Sequence, residues 1–364
     1  MAEVGARPKV PAARRAALRA ARAFFTPLLP DDYLELINPL WSTRELRGRI
    51  ERVDRETADA VTITIRPGFE WECHEPGQYL RIGVVVDGVH HWRAYSITSD
   101  PGRPDGFISI TPKLLDSGVV SPFLVAARPG AIVRLGGVEG TFTLPDPLPR
   151  RVLFISAGSG ITPIMSMLCC LERRRALDDV VHLHSARTPE DVIFATRLRA
   201  ITQRHPGVVL HERHTDRQAR LTTADLEELC PDWRERATFA SGPGELLDAL
   251  VDHWEAEGDP QRLSTERFQP VIGGDDAGGE GGTVRFLRSD LQATADGDTP
   301  ILVAGEEAGA HLPFGCRMGI CHTCVGRLCS GRVRDLRTGE VGGAEGEVVR
   351  TCVNAPEGDV VIDL

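Results

Sequence analysis

Cys316, Cys321 and Cys324 fall within nine positions of the stretch FGCRMGICHTC, and 27 residues separate Cys324 from Cys352. Thiolates spaced C-x4-C-x2-C, with a distant fourth cysteine, converge on a pair of irons, the arrangement that holds a 2Fe-2S cluster. Gly315 and Gly319 let such a loop fold closely and leave backbone N–H groups free to point at the sulfurs. With partial burial, those hydrogen bonds set a potential of about −400 mV. Zinc is the competing occupant, but structural zinc sites pair short C-x2–4-C knuckles. Here one pair is close, the last cysteine stands alone, and the loop glycines have no part in a knuckle. Cys329 breaks the spacing and reads as a buried strand residue. Cys73, Cys169, Cys170 and Cys230 have no metal-spaced partner and read as core or surface thiols.

A second stretch, SAGSGITPIM, follows the apolar run RVLFIS and opens a helical pattern. That is the context of a phosphate-binding turn: Gly158 and Gly160 permit close backbone approach, and Thr162 begins a helix whose N-terminus faces an anion. The next strand, VVHLHS, ends in Ser185 and Arg187, with no carboxylate for a ribose 2′-hydroxyl. A hydroxyl and a cation there suit a 2′-phosphate, so NADPH is favoured, with NADH as the alternative. His182 and His184 share a strand face and could bind metal, but no third ligand is in view. Core or surface histidines are the simpler reading.

The elements that must position these groups change character along the chain. Residues 1–46 form an N-terminal helical, basic segment. From 47 to 148, short β-type runs such as QYLRIGVVV, WRAYSIT and GFISITP alternate with turn residues, the pattern of a small antiparallel β-barrel. From 149 to 268, strand and helix patterns alternate, which predicts an α/β domain with a parallel sheet covered on both faces. Residues 269–282 carry six glycines and three acids and read as a flexible linker spanning about 20 Å. Residues 283–364 form a small α+β unit holding the cysteine cluster.

Composition narrows the function classes. The chain is 41% hydrophobic and 26% charged, and its formal net charge of −10 argues against nucleic-acid binding. No apolar run has the length of a membrane span, and nothing near the N-terminus reads as a secretory signal. Nine cysteines, five of them between Cys316 and Cys352, suit a reducing compartment better than a disulfide framework. The expectation is a cytoplasmic protein. Arg7, Lys9, Arg14, Arg15, Arg19 and Arg22 precede an apolar patch at Phe24, Phe25, Leu28 and Leu29. A basic helix with an apolar edge suits peripheral contact with the inner face of a membrane through residues 1–30, or a frayed, solvated helix.

The string RAYSITS at Arg93 resembles the flavin-binding signature of the ferredoxin–NADP reductase family. The resemblance implies that Tyr95 stacks on the isoalloxazine, Ser96 hydrogen-bonds near its reactive nitrogen, and Arg93 neutralises flavin phosphate, with Thr98 closing the signature. DSGVVSPFL resembles the family's second flavin segment, in which Gly118, Val119, Val120 and Ser121 face the pyrophosphate. RLSTERF resembles the segment in which Phe268 shields the flavin face, with the acid Glu266 close by. The family's Cys-Gly-Pro beside the nicotinamide appears as Ser241, Gly242 and Pro243, a departure that bears on the rate of hydride transfer. The order of flavin barrel, nicotinamide sheet and C-terminal β-grasp ferredoxin is that of the phthalate dioxygenase reductase type. The opening segment TPLLPDDYLELINPLWSTRELRGRI resembles actinobacterial oxidoreductases that serve membrane acyl-CoA desaturases.

Together these imply an NAD(P)H-dependent reductase with FAD (FMN being the alternative) and a 2Fe-2S cluster set in Cys316, Cys321, Cys324 and Cys352. Ser96, Ser241, Glu266 and Phe268 are the expected catalytic set. The expected partner is a terminal electron acceptor, a membrane fatty-acyl desaturase. The competing partners are a soluble ring-hydroxylating oxygenase or a cytochrome monooxygenase, and a non-catalytic redox-sensing module is the reading from another class.

Overall fold

The computed structural model describes residues 34–364 apart from Leu36, Thr43, Asp87, Asp116, Ser117, 269–278, His311, 315–318 and 320–322. The basic segment expected over residues 1–30, and the ligands Cys316 and Cys321, therefore lie outside the described residues. Contacts divide the chain into two compact units, one of residues up to Gly88 with Tyr95–Glu266, the other of Val89–Ala94 with Arg267–Leu364.

Short runs of alternating apolar residues give strands β1 (Arg47–Arg55), β2 (Val61–Pro67), β3 (Tyr79–Val86), β4 (Val89–Ser96), β5 (Ile108–Ile110) and β6 (Ile132–Glu139). They lie in the order β4-β3-β6-β1-β2-β5. A bridge from Ile97, just past β4, to Ile110 in β5 joins the ends of that order into the expected barrel. Period-two alternation sends Ile50, Ile63, Ile65, Leu80, Ile82, Ile108 and Ile110 inward, where each is fully buried. Such burial contributes about 1.5–3 kcal/mol per side chain. Helix α1 (Val120–Val125) adds Val120 and Leu124 to the same core.

From Val152 the strands β7 (Val152–Ala157), β8 (Val180–Ala186), β9 (Val208–His214), β10 (Ala237–Ser241) and β11 (Leu263–Glu266) form a wholly parallel sheet in the order β11-β10-β7-β8-β9. Helices α2 (Ile161–Arg174) and α3 (Ala195–Arg204) cover one face, against Phe154 and Phe239. Helices α4 (Ala224–Leu229) and α5 (Gly244–Glu257) cover the other, where Trp233 and Trp254 meet with ring centroids 4.3 Å apart. The helical pattern of the sequence EDVIFATRLRAITQRH begins at Glu190, but α3 starts only at Ala195. Val192 and Ile193 are buried in the core, and Phe194 takes a left-handed turn ahead of the helix. The chain runs from β7 outward through β8 to β9, then returns to place β10 on the other side of β7. Ligands bind at such a reversal, beyond the carboxyl ends of the strands.

The C-terminal unit contains β12 (Gly282–Phe286), β13 (Leu291–Ala295), helix α6 (Ile301–Glu307), β14 (Val325–Asp335), β15 (Val341–Gly342), β16 (Val348–Arg350) and β17 (Asn354–Asp363). The sheet order is β13-β12-β17-β14-β15, with β16 also on β14. Only β12 and β17 pair in parallel among the described strands of this unit. Helix α6 over a mixed sheet is the expected β-grasp arrangement. Among the described residues, no helix is long and apolar enough to cross a membrane.

Candidate redox site

The sheet reversal brings two of the expected segments into contact. Ser156 in β7 is in register with Ser241 in β10, and Ser241 with Glu266 in β11. The glycine turn Gly158–Gly160 leaves β7 and runs straight into α2, while Gly242 and Pro243 leave β10 and lead into α5. A Cβ on Gly160 would lie 2.0 Å from the Ser241 carbonyl oxygen and 2.8 Å from Gly242 N. Only glycine permits that approach. Thr162 is buried, and its hydroxyl donates to the Ser159 carbonyl at 2.9 Å, bracing the turn from inside. Pyrophosphate oxygens would meet the turn's N–H groups at the positive end of the α2 dipole.

Ser185 is buried at the end of β8 and Arg187 is exposed just beyond it. The linear reading finds no carboxylate there, but the neighbouring strand supplies one. Thr215 N–H donates to the Ala186 carbonyl and Asp216 N–H to the Arg187 carbonyl, at 3.0 and 2.9 Å. Asp216 pairs with Arg217 at 3.3 Å. No spacing in the sequence signals that placement, because it arises from β9 lying beside β8.

His182 and His184 are core histidines. The Ser156 hydroxyl lies 2.8 Å from both His182 Nε2 and His184 Nδ1, and all three residues are buried. Burial holds both imidazoles neutral: it drives His182 well below its usual range, helped by His184, and His184 down to about 4, helped by the neighbouring His214. Among the described residues no cluster of three or more metal-ligating side chains occurs.

Arg93 and Tyr95 alternate with Ala94 and Ser96 along β4 and so share a strand face. Tyr95 is half-buried against the barrel core, Ser96 is buried, and Arg93 donates to the Trp92 carbonyl at 3.2 Å. Thr98 follows, buried, with its N–H donating to the Ser109 carbonyl at 2.8 Å. Gly118 and Val119 lead into α1, where Val120 and Ser121 are buried. The Ser121 hydroxyl accepts from Leu115 N–H at 3.1 Å. Phe268 is half-buried, two residues past the end of β11.

Two buried hydroxyls in these segments, Thr98 Oγ1 and Ser241 Oγ, have no hydrogen-bond partner among the described residues. Such groups are uncommon in folded proteins, and donors or acceptors of a flavin and a nicotinamide would satisfy them. Glu266 gives the site its titratable group: burial pushes its carboxyl up to about 7. A carboxyl with that value can hold or release a proton near neutrality.

In the C-terminal unit, Cys324 immediately precedes β14 and Cys352 lies two residues past β16. Pairing of Val325 with Arg350 brings the two cysteines to the same end of that ladder, and both are buried. Thr351 fastens them: its N–H and hydroxyl both donate to the Cys324 carbonyl, at 3.0 and 2.8 Å. Gly319 N–H donates to Cys352 Sγ at 3.2 Å. An amide aimed at a sulfur is the interaction that stabilises a cluster-bound thiolate, so the described part of the loop fits a 2Fe-2S cluster. Cys329 sits on β14 as a strand residue, but half-buried rather than buried, with its sulfur at the Arg327 carbonyl. The outward alternation at that point of β14 is the cause.

Comparison with known proteins agrees with this layout. Residues 73–144 match the profile described as an oxidoreductase FAD-binding domain, 154–252 an oxidoreductase NAD-binding domain, and 286–357 a 2Fe-2S iron-sulfur cluster binding domain. The chain is similar to an NADPH oxidoreductase of Mycobacterium tuberculosis, 49% identical over 95% of this chain and 91% of that one. It is also similar to a glycine betaine monooxygenase reductase subunit of Pseudomonas aeruginosa, 32% identical over 90% of this chain and 98% of that one. The solved structure of phthalate dioxygenase reductase superposes with a TM-score of 0.59 at 22% identity, over 87% of this chain and 97% of that one, a likeness of fold.

Proposed function

Because the chain belongs to the NAD(P)H oxidoreductases that carry FAD-binding, NAD-binding and 2Fe-2S domains in the phthalate dioxygenase reductase order, we propose that it feeds single electrons to an oxygen-activating partner protein, a membrane fatty-acyl desaturase. When bound, a flavin takes up hydride and releases electrons singly, and a 2Fe-2S cluster accepts them one at a time. The chain's own residues would bind, orient and shield. Gly158, Gly160 and Thr162 would hold the nucleotide pyrophosphate, while Ser185 and Arg187 would take the 2′-phosphate of NADPH. Tyr95 would stack on the flavin, Arg93 and the segment Gly118–Ser121 would hold its phosphates, and Ser96 and Thr98 would hydrogen-bond its ring. Ser241, with Gly242 and Pro243, would orient the nicotinamide. Glu266 would hold a proton at the site, and Phe268 would cover the flavin until the nicotinamide enters. Cys316, Cys321, Cys324 and Cys352 would ligate the cluster.

The observation that carries the reductase reading is the packing of Gly160 on Ser241 at the sheet reversal, in a chain that also joins Cys324 to Cys352 through Thr351. The desaturase reading is supported by the basic, apolar-edged run Arg7–Leu29 and by the likeness of residues 26–50 to desaturase-serving oxidoreductases. A soluble oxygenase is the second reading. It is favoured by relatives described as reductase components of glycine betaine monooxygenase and of 3-ketosteroid-9-alpha-monooxygenase. Reconstitution separates them: with NADPH, the protein is expected to drive desaturation in desaturase-containing membranes and to float with anionic vesicles. Deletion of residues 1–30 should abolish flotation. Turnover of a soluble oxygenase with no desaturation would overturn the desaturase reading.

A further inference from the structure

Helix α2 begins at the glycine turn, and side chains from its middle and its far end grip the segment that follows the flavin signature. Ser166 Oγ donates to the Ser99 carbonyl at 3.0 Å, and Arg173 Nε donates to Asp100 Oδ2 at 2.5 Å. These acceptors lie three and four residues beyond Ser96. From the barrel side, His74 Nε2 donates to the same Ser99 carbonyl at 3.0 Å, and the Ser99 hydroxyl accepts from Ser109 N–H at 3.0 Å. Asp100 Oδ1 accepts from Gly102 N–H, also at 3.0 Å. Residues 98–102 are thus held by the barrel on one side and by α2 on the other.

The fit is close. A Cβ on Gly102 would lie 2.2 Å from Arg173 Nε, so any larger residue there would displace the guanidinium. The Asp100 side chain is 11% exposed and that of Arg173 37%. A partly exposed ion pair contributes little stability, which leaves geometry as what this one supplies. Helix α2 spans 14 residues, a rigid rod of about 20 Å.

We propose that Arg173 and Ser166 are positioning residues for hydride transfer, fixing the segment after Tyr95 and Ser96 at a set distance from the phosphate turn on the same helix. The hydride, a proton with two electrons, passes from NADPH, which becomes NADP+, to the flavin, so both rings must meet in register. A misplacement of about 1 Å costs on the order of a hundredfold in rate. This inference rests on the flavin lying at β4 and the nucleotide at the glycine turn.

The test uses the full-length, flavin-loaded protein with Arg173→Ala, Ser166→Ala and Arg173→Lys. Flavin reduction at saturating NADPH is followed in a single turnover, NADP+ affinity by calorimetry, and deuterium uptake at the amides of residues 97–103 by mass spectrometry. Arg173→Ala is expected to slow flavin reduction about tenfold or more, with NADP+ affinity changed less than about twofold and uptake at 97–103 accelerated. Ser166→Ala should do the same to a smaller degree, and Arg173→Lys should recover part of the rate. Wild-type reduction by flavin-loaded Arg173→Ala would overturn the proposal. So would a slowing that merely follows weaker NADP+ binding or lost flavin. Tyr95→Ala, run in parallel, separates the premises. If it loses flavin while Arg173→Ala reduces normally, only the positioning role fails. If it keeps both flavin and rate, the site assignment fails.

Discussion

The α-carbon of Gly160 faces the Ser241 carbonyl so closely that a single added methyl carbon would sit 2.0 Å from the oxygen. Two strand ends that are 84 residues apart in sequence, Ala157 and Ser241, thereby lie side by side. Gly160→Ala must push the glycine turn off β10. The expected outcome is a loss of about 1–3 kcal/mol in stability, the usual cost of overpacking. NADP+ affinity should fall about tenfold or more, because the turn's amides lose their aim. Thermal unfolding and calorimetry check both.

Glu266 and His184 make opposite contributions to stability against pH. Glu266 binds its proton more tightly folded, at about 7 against an ordinary 4.5. Its contribution is therefore full below 4.5 and lost as pH rises through 7. His184 is held down to about 4 against 6.5, so its contribution is full above 6.5 and lost as pH falls towards 4. Glu266→Gln should remove the loss between pH 4.5 and 7, a difference of order 1–3 kcal/mol, while the acid-side loss from the buried histidines remains. Melting temperatures across pH 4 to 8 would show it.

Cys352→Ser and Cys324→Ser each remove a buried sulfur that Gly319 or Thr351 helps to place. Either change should abolish the visible absorbance of the cluster and cut NADPH-driven reduction of a cluster-dependent acceptor about tenfold or more. Flavin content and flavin reduction should persist. Absorbance spectra and stopped-flow traces of the same sample separate the two effects.

Arg187 is exposed at the end of β8, with Asp216 held beside it by a backbone hydrogen bond. Arg187→Ala should raise KM for NADPH about tenfold and leave KM for NADH nearly unchanged, since only the 2′-phosphate needs the cation. Asp216→Ala should shift preference further toward NADPH by removing the nearby carboxylate.

What the sequence made legible were features whose signals are local. The barrel strands alternate, the glycine turn follows a buried strand, and three of the four expected cluster ligands crowd one loop. Strand β1 was harder, because RGRIERVDR carries six charged residues and only pairing with both β2 and β6 sets it in the barrel. Strand β11 is four residues long and owes its place to its neighbour β10. The late start of α3 follows from the burial of Val192 and Ile193, a tertiary demand that outweighs helical pattern. The contacts of Ser99 with Ser166, and of Asp100 with Arg173, span 67 and 73 residues. No spacing rule reaches so far, so they appear only once the barrel and the parallel sheet are folded against each other.

An anaerobic titration with NADPH, read in the visible spectrum, counts the electrons that the protein's redox centres take up. A flavin that stores two electrons and a cluster that stores one need about 1.5 equivalents of NADPH for full reduction. Both flavin and cluster bands should bleach with that endpoint in the wild-type protein, and flavin alone should bleach, with about one equivalent, in Cys352→Ser. A spectrum unchanged by NADPH, or a wild-type endpoint of one equivalent with the cluster bands untouched, would rule out electron flow from NADPH through flavin to the cluster.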